Sequence, residues 1–368
     1  MTAKSSKEDA SKDRSLKQIA EDIISTARKT ACLAGVSAEN FDSVIDLVID
    51  QALPKMSADL YESLRGEAPG FVESARQFEK GFRQRNLERW KPAFDLLEAQ
   101  WAVAQEANAD FFRDERTDAL QNDDVLFEAL ISLHARALLV AKESICLLQG
   151  GFPDGAMSRW RTLHEFNIVA HFLLLKDEST ARLYLASAHF QALKHAKQAR
   201  KYAHRDQSIA ISDDVVSALE ERCAELKLTL GFDLSEDYAW AHAALNRRRV
   251  TLFELEQATD RDFWRPRYRW ASQHIHGSHQ GSRGLLGMSE TEKHVKMLVG
   301  PSNGGLVDPI QMIAHSIADV SEALLFSKPD IVRKVAASVL WLFAEDIGPI
   351  AMKCEEDFRR LHGYDPDR

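Results

Sequence analysis

Apolar residues recur at spacings of three and four along most of this chain, which is the pattern of one face of a helix. The first such run comprises Leu16, Ile19, Ala20, Ile23, Ile24 and Ala27. Only 17 Gly and 10 Pro are spread over 368 residues, so few turns are available for a many-stranded sheet. No segment alternates convincingly between apolar and polar residues. The sequence therefore predicts an all-α fold.

Composition also suggests how the helices are grouped. Residues 1–13 are polar and predict a disordered tail, which is followed by an N-terminal helical module over residues 14–118. A polar stretch around residues 116–124 predicts the boundary. Residues 124–362 then predict a larger helical bundle, whose short connections favour mostly antiparallel neighbours.

Three signals predict interruptions inside the N-terminal module. Pro54 should stop a helix, the stretch Glu67–Gly70 reads as a break, and Pro92 should kink or divide a long helix. Each prediction depends on local residue preference alone.

The chain is expected to be soluble and cytoplasmic. Its polar N-terminus has no apolar core typical of a signal peptide, and no run of about 20 apolar residues predicts a membrane span. Its four scattered cysteines predict buried, reduced thiols, as is usual in a reducing compartment. A formal net charge of −9 disfavours a surface that is basic all over, although a local basic groove remains open.

One segment combines arginine with aromatic residues at high density. Guanidinium groups neutralise phosphates, and aromatic rings offer stacking platforms for bases, so this segment is a candidate RNA-binding surface. The alternative is that these arginines cover core aromatics or pair with the carboxylates of an acidic protein. The candidate RNA-binding residues are Arg261, Trp264, Arg265, Arg267 and Trp270.

A histidine group follows directly. Three imidazoles at His274, His276 and His279 have a spacing that suits a metal, but the group contains no carboxylate, so no metal and no cofactor is predicted. Arg269 precedes the group, and an arginine with a histidine can support RNA cleavage without a metal. Arg269, His276 and His274 are therefore the candidate catalytic residues.

A third candidate lies on an earlier, largely apolar helix. Arg161 and Glu165 are four residues apart and share a helix face. Charges on such a helix need partners, which the downstream Arg/His segment could supply. The alternative is an ion pair that only joins two helices. Sequence motifs of zinc proteases, dinucleotide-binding folds, phosphate-binding loops and serine hydrolases are absent from the sequence.

Together these residues resemble a bacterial helical family catalogued as a domain of unknown function, family 5677. The resemblance is carried by Arg161-x-x-x-Glu165 and, about a hundred residues later, by Tyr268-x-x-x-Ser272-x-x-x-His276. It implies supporting roles for Arg161, Glu165, Tyr268 and Ser272 beside the catalytic candidates.

The resemblance extends over residues 125–330 and carries a further implication, because this family is similar to HEPN domains. Many HEPN domains are metal-independent ribonucleases of phage-defence and toxin systems, marked by an arginine and a later histidine with four to six residues between them. The pairs Arg269–His274 and Arg269–His276 have such spacings. The resemblance also implies a homodimer and a partner protein from a defence system.

We therefore expect a HEPN-like RNA-binding protein, in which Arg269 holds the phosphate and His276 or His274 moves the proton. The alternative is a non-catalytic helical sensor or partner-binding module, whose Arg/Glu/His set is structural or binds a small ligand. A metal hydrolase is the third and least favoured hypothesis.

Overall fold

The computed structural model describes residues 16–36, 41–206, 211–273, 275, 286–287 and 298–362. All long elements in these ranges are helices and none is a strand, so the predicted all-α fold is confirmed. The predicted tail at residues 1–13 lies outside the described residues. By compactness the chain divides into two units, residues 1–80 and 81–368.

The first unit contains helix α1 (Leu16–Leu33) and the beginning of helix α2 (Phe41–Asn122). Helix α2 is continuous, so the breaks predicted at Pro54 and Glu67–Gly70 and the division predicted as one outcome at Pro92 are wrong. For Pro92, packing explains the difference. It lies beside Trp90 and Phe94, which are almost fully buried, and this packing offsets a missing backbone hydrogen bond, which costs about 3 kcal/mol.

The second unit begins within α2, so the division falls near residue 80 rather than at residues 116–124. The reason is tertiary packing, since the aromatic residues of the second half of α2 enter the bundle core. The Trp90 indole donates to the carbonyl of Asn303 at 3.0 Å, and the Gln100 amide donates to Ala314 and Leu340 at 2.9 Å each.

The bundle consists of one helix after another with short links. After α2 come α3 (Val125–Gln149), α4 (Pro153–Leu175), α5 (Glu178–Tyr202) and α6 (Asp213–Leu230). Shorter helices follow: α7 (His242–Leu245), α8 (Leu252–Ala258) and α9 (Arg265–Gln273), with single turns at residues 239–241 and 262–264. Helices α10 (Val307–Leu325) and α11 (Ile331–His362) complete the bundle.

Helices α3, α4 and α10 form the centre of the bundle, and α11 covers α10. The turn between α3 and α4 needs Gly151, whose φ is +81°. A Cβ atom there would lie 2.6 Å from the Phe82 ring and 2.8 Å from the Ser302 carbonyl oxygen. The Gly151 carbonyl accepts from the Ser302 amide at 2.7 Å, which fixes the loop before α10 against this turn.

One helix has a length and composition that a membrane span would also have. Residues Ile331–Arg360 of α11 have a mean hydropathy of 1.5 in their most apolar window, and 33% of that window is buried within the protein. Core helices of soluble proteins can have the same length and apolar composition. From the sequence, no membrane span was predicted in this region.

The expectation of buried thiols holds for half of the cysteines. Cys223 and Cys354 are buried, whereas Cys32 and Cys146 are exposed. Cys146 illustrates the reason, because it lies on a strongly apolar helix but on the side that faces away from the core.

Candidate functional site

Helix α4 carries the two histidines around which the site is built, His164 and His171. Pro153 starts the helix, where its missing N–H is not needed, and the core buries Trp160, Leu163 and Ile168. His164 and His171 are seven residues apart, which is close to two helical turns, so they lie on the same side of α4. Each of them meets a carboxylate and an arginine from later in the chain.

The first group, called the inner triad, consists of His164, Glu256 and Arg265. The His164 Nε2 lies 3.1 Å from Glu256 Oε1, and Arg265 Nη1 donates to Glu256 Oε2 at 3.0 Å. The Glu256 side chain is 0% exposed. A buried carboxylate needs such compensation, and one imidazole and one guanidinium supply it.

The second group, called the outer triad, consists of His171, Asp319 and Arg261. Arg261 donates through Nε to Asp319 Oδ2 at 3.0 Å and through Nη2 to Oδ1 at 2.7 Å. The His171 Nε2 lies 2.9 Å from Asp319 Oδ1 and from the Asp319 carbonyl oxygen. Burial alone would raise the pKa of Asp319, but the hydrogen bonds and charges of His171 and Arg261 outweigh it and hold that pKa well below its usual range.

A cavity of about 620 Å³ opens beside the outer triad. Its walls come from α4, the segment between α8 and α9, α10 and α11. The lining residues that matter for binding are the outer triad together with Asn167, Asp260, Phe263, Trp264, His315 and Trp341. This volume lies within the range that is usual for small-molecule sites.

His315 lies between two tryptophans of this cavity. Its ring centroid is 5.9 Å from that of Trp264 and 5.9 Å from that of Trp341. Burial, and then the charge of Arg267, lower the pKa of His315, which outweighs the opposite effect of Asp319 and Glu345. A neutral imidazole offers one donor and one acceptor, and within the described ranges His315 has no hydrogen-bond partner.

One set of side chains near the outer triad has the spacing of a metal site. Single ligand atoms of His171, Asp319 and Glu322 lie within 4.8 Å of one another. However, the Arg261 guanidinium already contacts both carboxylate oxygens of Asp319. A cation would have to displace this positive charge, so the arrangement is better described as an ion-pair network than as a metal centre.

The structure brings three of the predicted supporting residues together at the side of the inner triad. The Tyr268 hydroxyl donates to Glu165 Oε1 at 2.7 Å, and Arg161 Nη2 lies 3.7 Å from the same oxygen. The Arg161 guanidinium also lies 4.6 Å from the centroid of the Tyr268 ring. Burial, followed by the bond to Glu165, raises the pKa of Tyr268. Ser272 lies apart from this group, since its hydroxyl donates to the Tyr268 carbonyl within α9.

The predicted RNA-binding residues do not form one surface. Arg261 and Arg265 are held by carboxylates of the two triads, and Trp264 lines the cavity. Trp270 is partly buried against the core. Only Arg267 is exposed, and its guanidinium lies 5.2 Å from the Trp264 ring centroid. The partly buried arginines lie where the core supplies carboxylates, and the RNA-binding role of these residues stays a prediction.

Of the predicted catalytic residues, only Arg269 can be placed. Its side chain is exposed on α9 and does not line the cavity. His274 and His276, together with His279, lie outside the described residues. Their catalytic role stays a prediction.

Sequence reasoning missed many residues of the two triads and of the cavity wall, among them His171, His315, Asp319 and Trp341. These four lie on helices whose apolar periodicity predicts only a core. Asp319 carried a usable signal, because it is the one acidic residue in the largely apolar stretch from Ile310 to Val320. A charge at such a position needs a buried partner.

Comparison with known proteins identifies one family. Residues 127–294 match the model described as "Family of unknown function (DUF5677)". No curated protein and no solved structure is significantly similar to the chain. The match covers a little under half of the chain, and it includes both halves of the motif that begins at Arg161 and ends at His276. The chain thus carries a domain of this family of unknown function, as the sequence predicted.

Proposed function

We propose that this protein is a helical ligand-binding module, and that its cavity takes a small, planar, uncharged heterocycle of the size of a nucleobase or nucleoside. The observation that carries the proposal is the cavity of about 620 Å³ beside the outer triad. Arg161, Arg261 and Arg265 each face a carboxylate. Their charges are already paired, which agrees with a site that binds a ligand without catalysing a reaction.

The walls of the cavity favour a planar ring. Trp264 and Trp341 face the cavity on either side of His315, and Phe263 lies at its edge. Aromatic faces of this kind bind flat rings by offset stacking, which adds about 0.5–1.5 kcal/mol per pair to the burial of apolar area.

The polar groups favour a ligand that both donates and accepts hydrogen bonds. The Asn167 amide donates to the Ser316 carbonyl at 3.1 Å, but its Oδ1 atom is buried and has no partner in the described part of the chain. An unmet acceptor costs roughly 1–3 kcal/mol, and a ligand N–H that reaches Oδ1 would recover this cost. His315 adds one donor and one acceptor.

The charges disfavour a phosphate. Arg261 and Asp319 neutralise each other, and Asp260, which also lines the cavity, has no ion pair in the described part of the chain. Among the aspartate and arginine side chains of the lining, the two carboxylates of Asp260 and Asp319 outnumber the one guanidinium of Arg261. We therefore expect an uncharged nucleoside to bind more tightly than its monophosphate.

The test is a titration of purified protein with free nucleobases, nucleosides and nucleoside monophosphates, monitored by tryptophan fluorescence and by thermal unfolding. We expect at least one uncharged member to quench the fluorescence and to raise the Tm, with a weaker effect of its monophosphate. Absence of both signals for every uncharged compound would overturn the proposal.

A matched pair of variants localises the binding. His315→Ala should abolish the fluorescence change, because it removes the polar group between the two tryptophans. His195→Ala is the control, since His195 is exposed on α5 and does not line the cavity. Equal loss in both variants would argue against the cavity as the site.

A second proposed function is metal-independent RNA cleavage. Arg267 and Arg269 are both exposed on α9, and neither has an ion pair in the described part of the chain. They could neutralise phosphates at the surface, and the histidines that follow in the sequence could move the proton.

This second proposal is tested with mixed RNA in the presence of EDTA, using wild type and the variants Arg269→Ala and His276→Ala. Cleavage by wild type alone, which leaves cyclic or 3′-phosphate ends, is the expected result. RNA that stays intact with wild type, or is cleaved equally by all three proteins, would contradict it.

A further inference from the structure

Helix α11 has one face in the core and an apolar face in solvent. Its inner face buries Ala337, Leu340, Ala344, Ile347 and Ala351 completely or almost so. The α11 outer face is defined by Ile331, Val335 and Leu342, which are 76%, 56% and 60% exposed, with Val339 partly exposed between them. Such a stripe, with spacings of four, four and three, is typical of a helix that packs on another helix.

The charges beside this stripe have a self-complementary order. Lys334 and Glu345 are eleven residues apart, which is three helical turns, so they lie on the same flank of the stripe. Both are exposed, and neither has an ion pair in the described part of the chain.

We propose that the α11 outer face binds the same face of a second copy of this chain, with the two helices antiparallel. In an antiparallel pair with two-fold symmetry, each flank faces the same flank of the other helix. Centring the pair between Val339 and Leu340 brings Lys334 opposite Glu345 of the second copy, and the converse contact follows from the symmetry. The Leu342 side chains then pack near Val339 on both sides. A parallel pair would not bring these opposite charges together.

A membrane is a poorer partner for this face, although α11 is apolar. The exposed apolar stretch from Ile331 to Leu342 is about 17 Å long at 1.5 Å per residue, against a hydrocarbon thickness of about 30 Å. The exposed charges of Glu345, Asp346 and Lys353 follow it directly. The buried inner face also keeps α11 attached to α10.

The test uses sedimentation velocity of the full chain at low salt over a wide range of concentrations. Wild type should form dimers. Lys334→Glu and Glu345→Lys, each alone, should raise the dimer Kd at least about tenfold, because each places two pairs of like charges across the symmetric contact. An equimolar mixture of the two variants should form dimers again, since every contact then joins opposite charges.

The control is Glu356→Lys, which reverses an exposed charge on α11 beyond the proposed contact and should leave the Kd unchanged. A monomer at all concentrations would overturn the proposal. So would a dimer that ignores both reversals, a mixture that stays monomeric, or binding only to phosphatidylcholine vesicles.

Discussion

The two triads on α4 have the same chemistry but different surroundings. In the inner triad, His164 reaches the cavity wall, but the Glu256 carboxylate that it contacts is 0% exposed and does not line the cavity. In the outer triad, all three residues line the cavity, and the Asp319 and Arg261 side chains are 12% and 20% exposed. Similar ion pairs can thus be purely structural or can form the wall of a binding site, and access to solvent distinguishes the two cases.

The largest effect is expected from opening the inner triad. Glu256→Ala leaves the Arg265 guanidinium and His164 without their buried carboxylate, so the free energy of unfolding should fall by about 3–5 kcal/mol. Urea denaturation followed by circular dichroism measures this loss.

Glu221→Ala provides the matched control, because Glu221 is exposed on α6 and makes no ion pair in the described ranges. Its effect should stay within about 0.5 kcal/mol. If Glu256→Ala also cost less than about 1 kcal/mol, the inner triad would not be a structural element.

The second effect separates the triads by function. Asp319→Asn should lower the free energy of unfolding by roughly 1.5–3 kcal/mol, because hydrogen bonds to a charged group are lost. It also leaves Arg261 without its counter-charge at the cavity. The affinity for a monophosphate relative to its nucleoside should therefore rise about tenfold, a difference of about 1.4 kcal/mol.

Glu256→Gln is the companion variant for this measurement, since Glu256 is absent from the cavity lining. It should leave the relative affinity unchanged. An equal shift in both variants would show that the two triads do not differ in access to the ligand.

These features could be predicted from the sequence only where the interacting residues are close to each other along the chain. The apolar period and the flanking Gly/Pro loop, which are local signals, predict a helix over about residues 309–326. The structure has α10 at Val307–Leu325. The break expected at Pro92 depends on core packing that local preference does not contain. The resemblance to the family singled out Arg161, Glu165 and Tyr268, which the structure brings together, while their supporting role stays a prediction.

The outer triad was beyond such reasoning. Its hydrogen bond between His171 and Asp319 joins residues that are 148 positions apart. Arg261 was predicted to contact RNA, because its neighbours in sequence are aromatic and basic. Its actual partner is the Asp319 carboxylate of α10, and the two side chains meet only because helices distant in the sequence pack together.

His134 is a third buried histidine and differs from His164 and His171, because no carboxylate in the described part of the chain contacts it. His134 contacts the Asn108 amide nitrogen at 2.8 Å and the Ser321 hydroxyl at 2.9 Å. Burial lowers its pKa to about 3. Below pH 6.5, His134 is protonated in the unfolded chain but stays neutral in the folded chain. The free energy of unfolding should therefore fall by about 1.4 kcal/mol for each unit that the pH is lowered, down to about pH 3.

The measurement is the free energy of unfolding at pH 7 and pH 5.5 for wild type and for His134→Gln, whose side chain does not titrate. The loss on acidification should be about 1.4 kcal/mol smaller in the variant. Identical losses would mean that His134 accepts its proton while the protein is folded.

The smallest effect is expected at the Arg161–Glu165–Tyr268 group. Tyr268→Phe removes the hydroxyl that donates to Glu165 but keeps the ring beneath Arg161. The Glu165 side chain is partly exposed, so water can replace the lost donor, and the free energy of unfolding should fall by about 1 kcal/mol.

Tyr202→Phe is the control for Tyr268→Phe, because Tyr202 is exposed on α5 and its hydroxyl makes no hydrogen bond in the described ranges. A difference of about 1 kcal/mol in the free energy of unfolding between the two variants would mean that the Tyr268 hydroxyl contributes as much as an ordinary structural hydrogen bond. A loss above about 3 kcal/mol would instead mean that Glu165 depends on Tyr268 as Glu256 depends on Arg265. The group would then behave as a second structural network like the inner triad, even though Glu165 can still be reached by water.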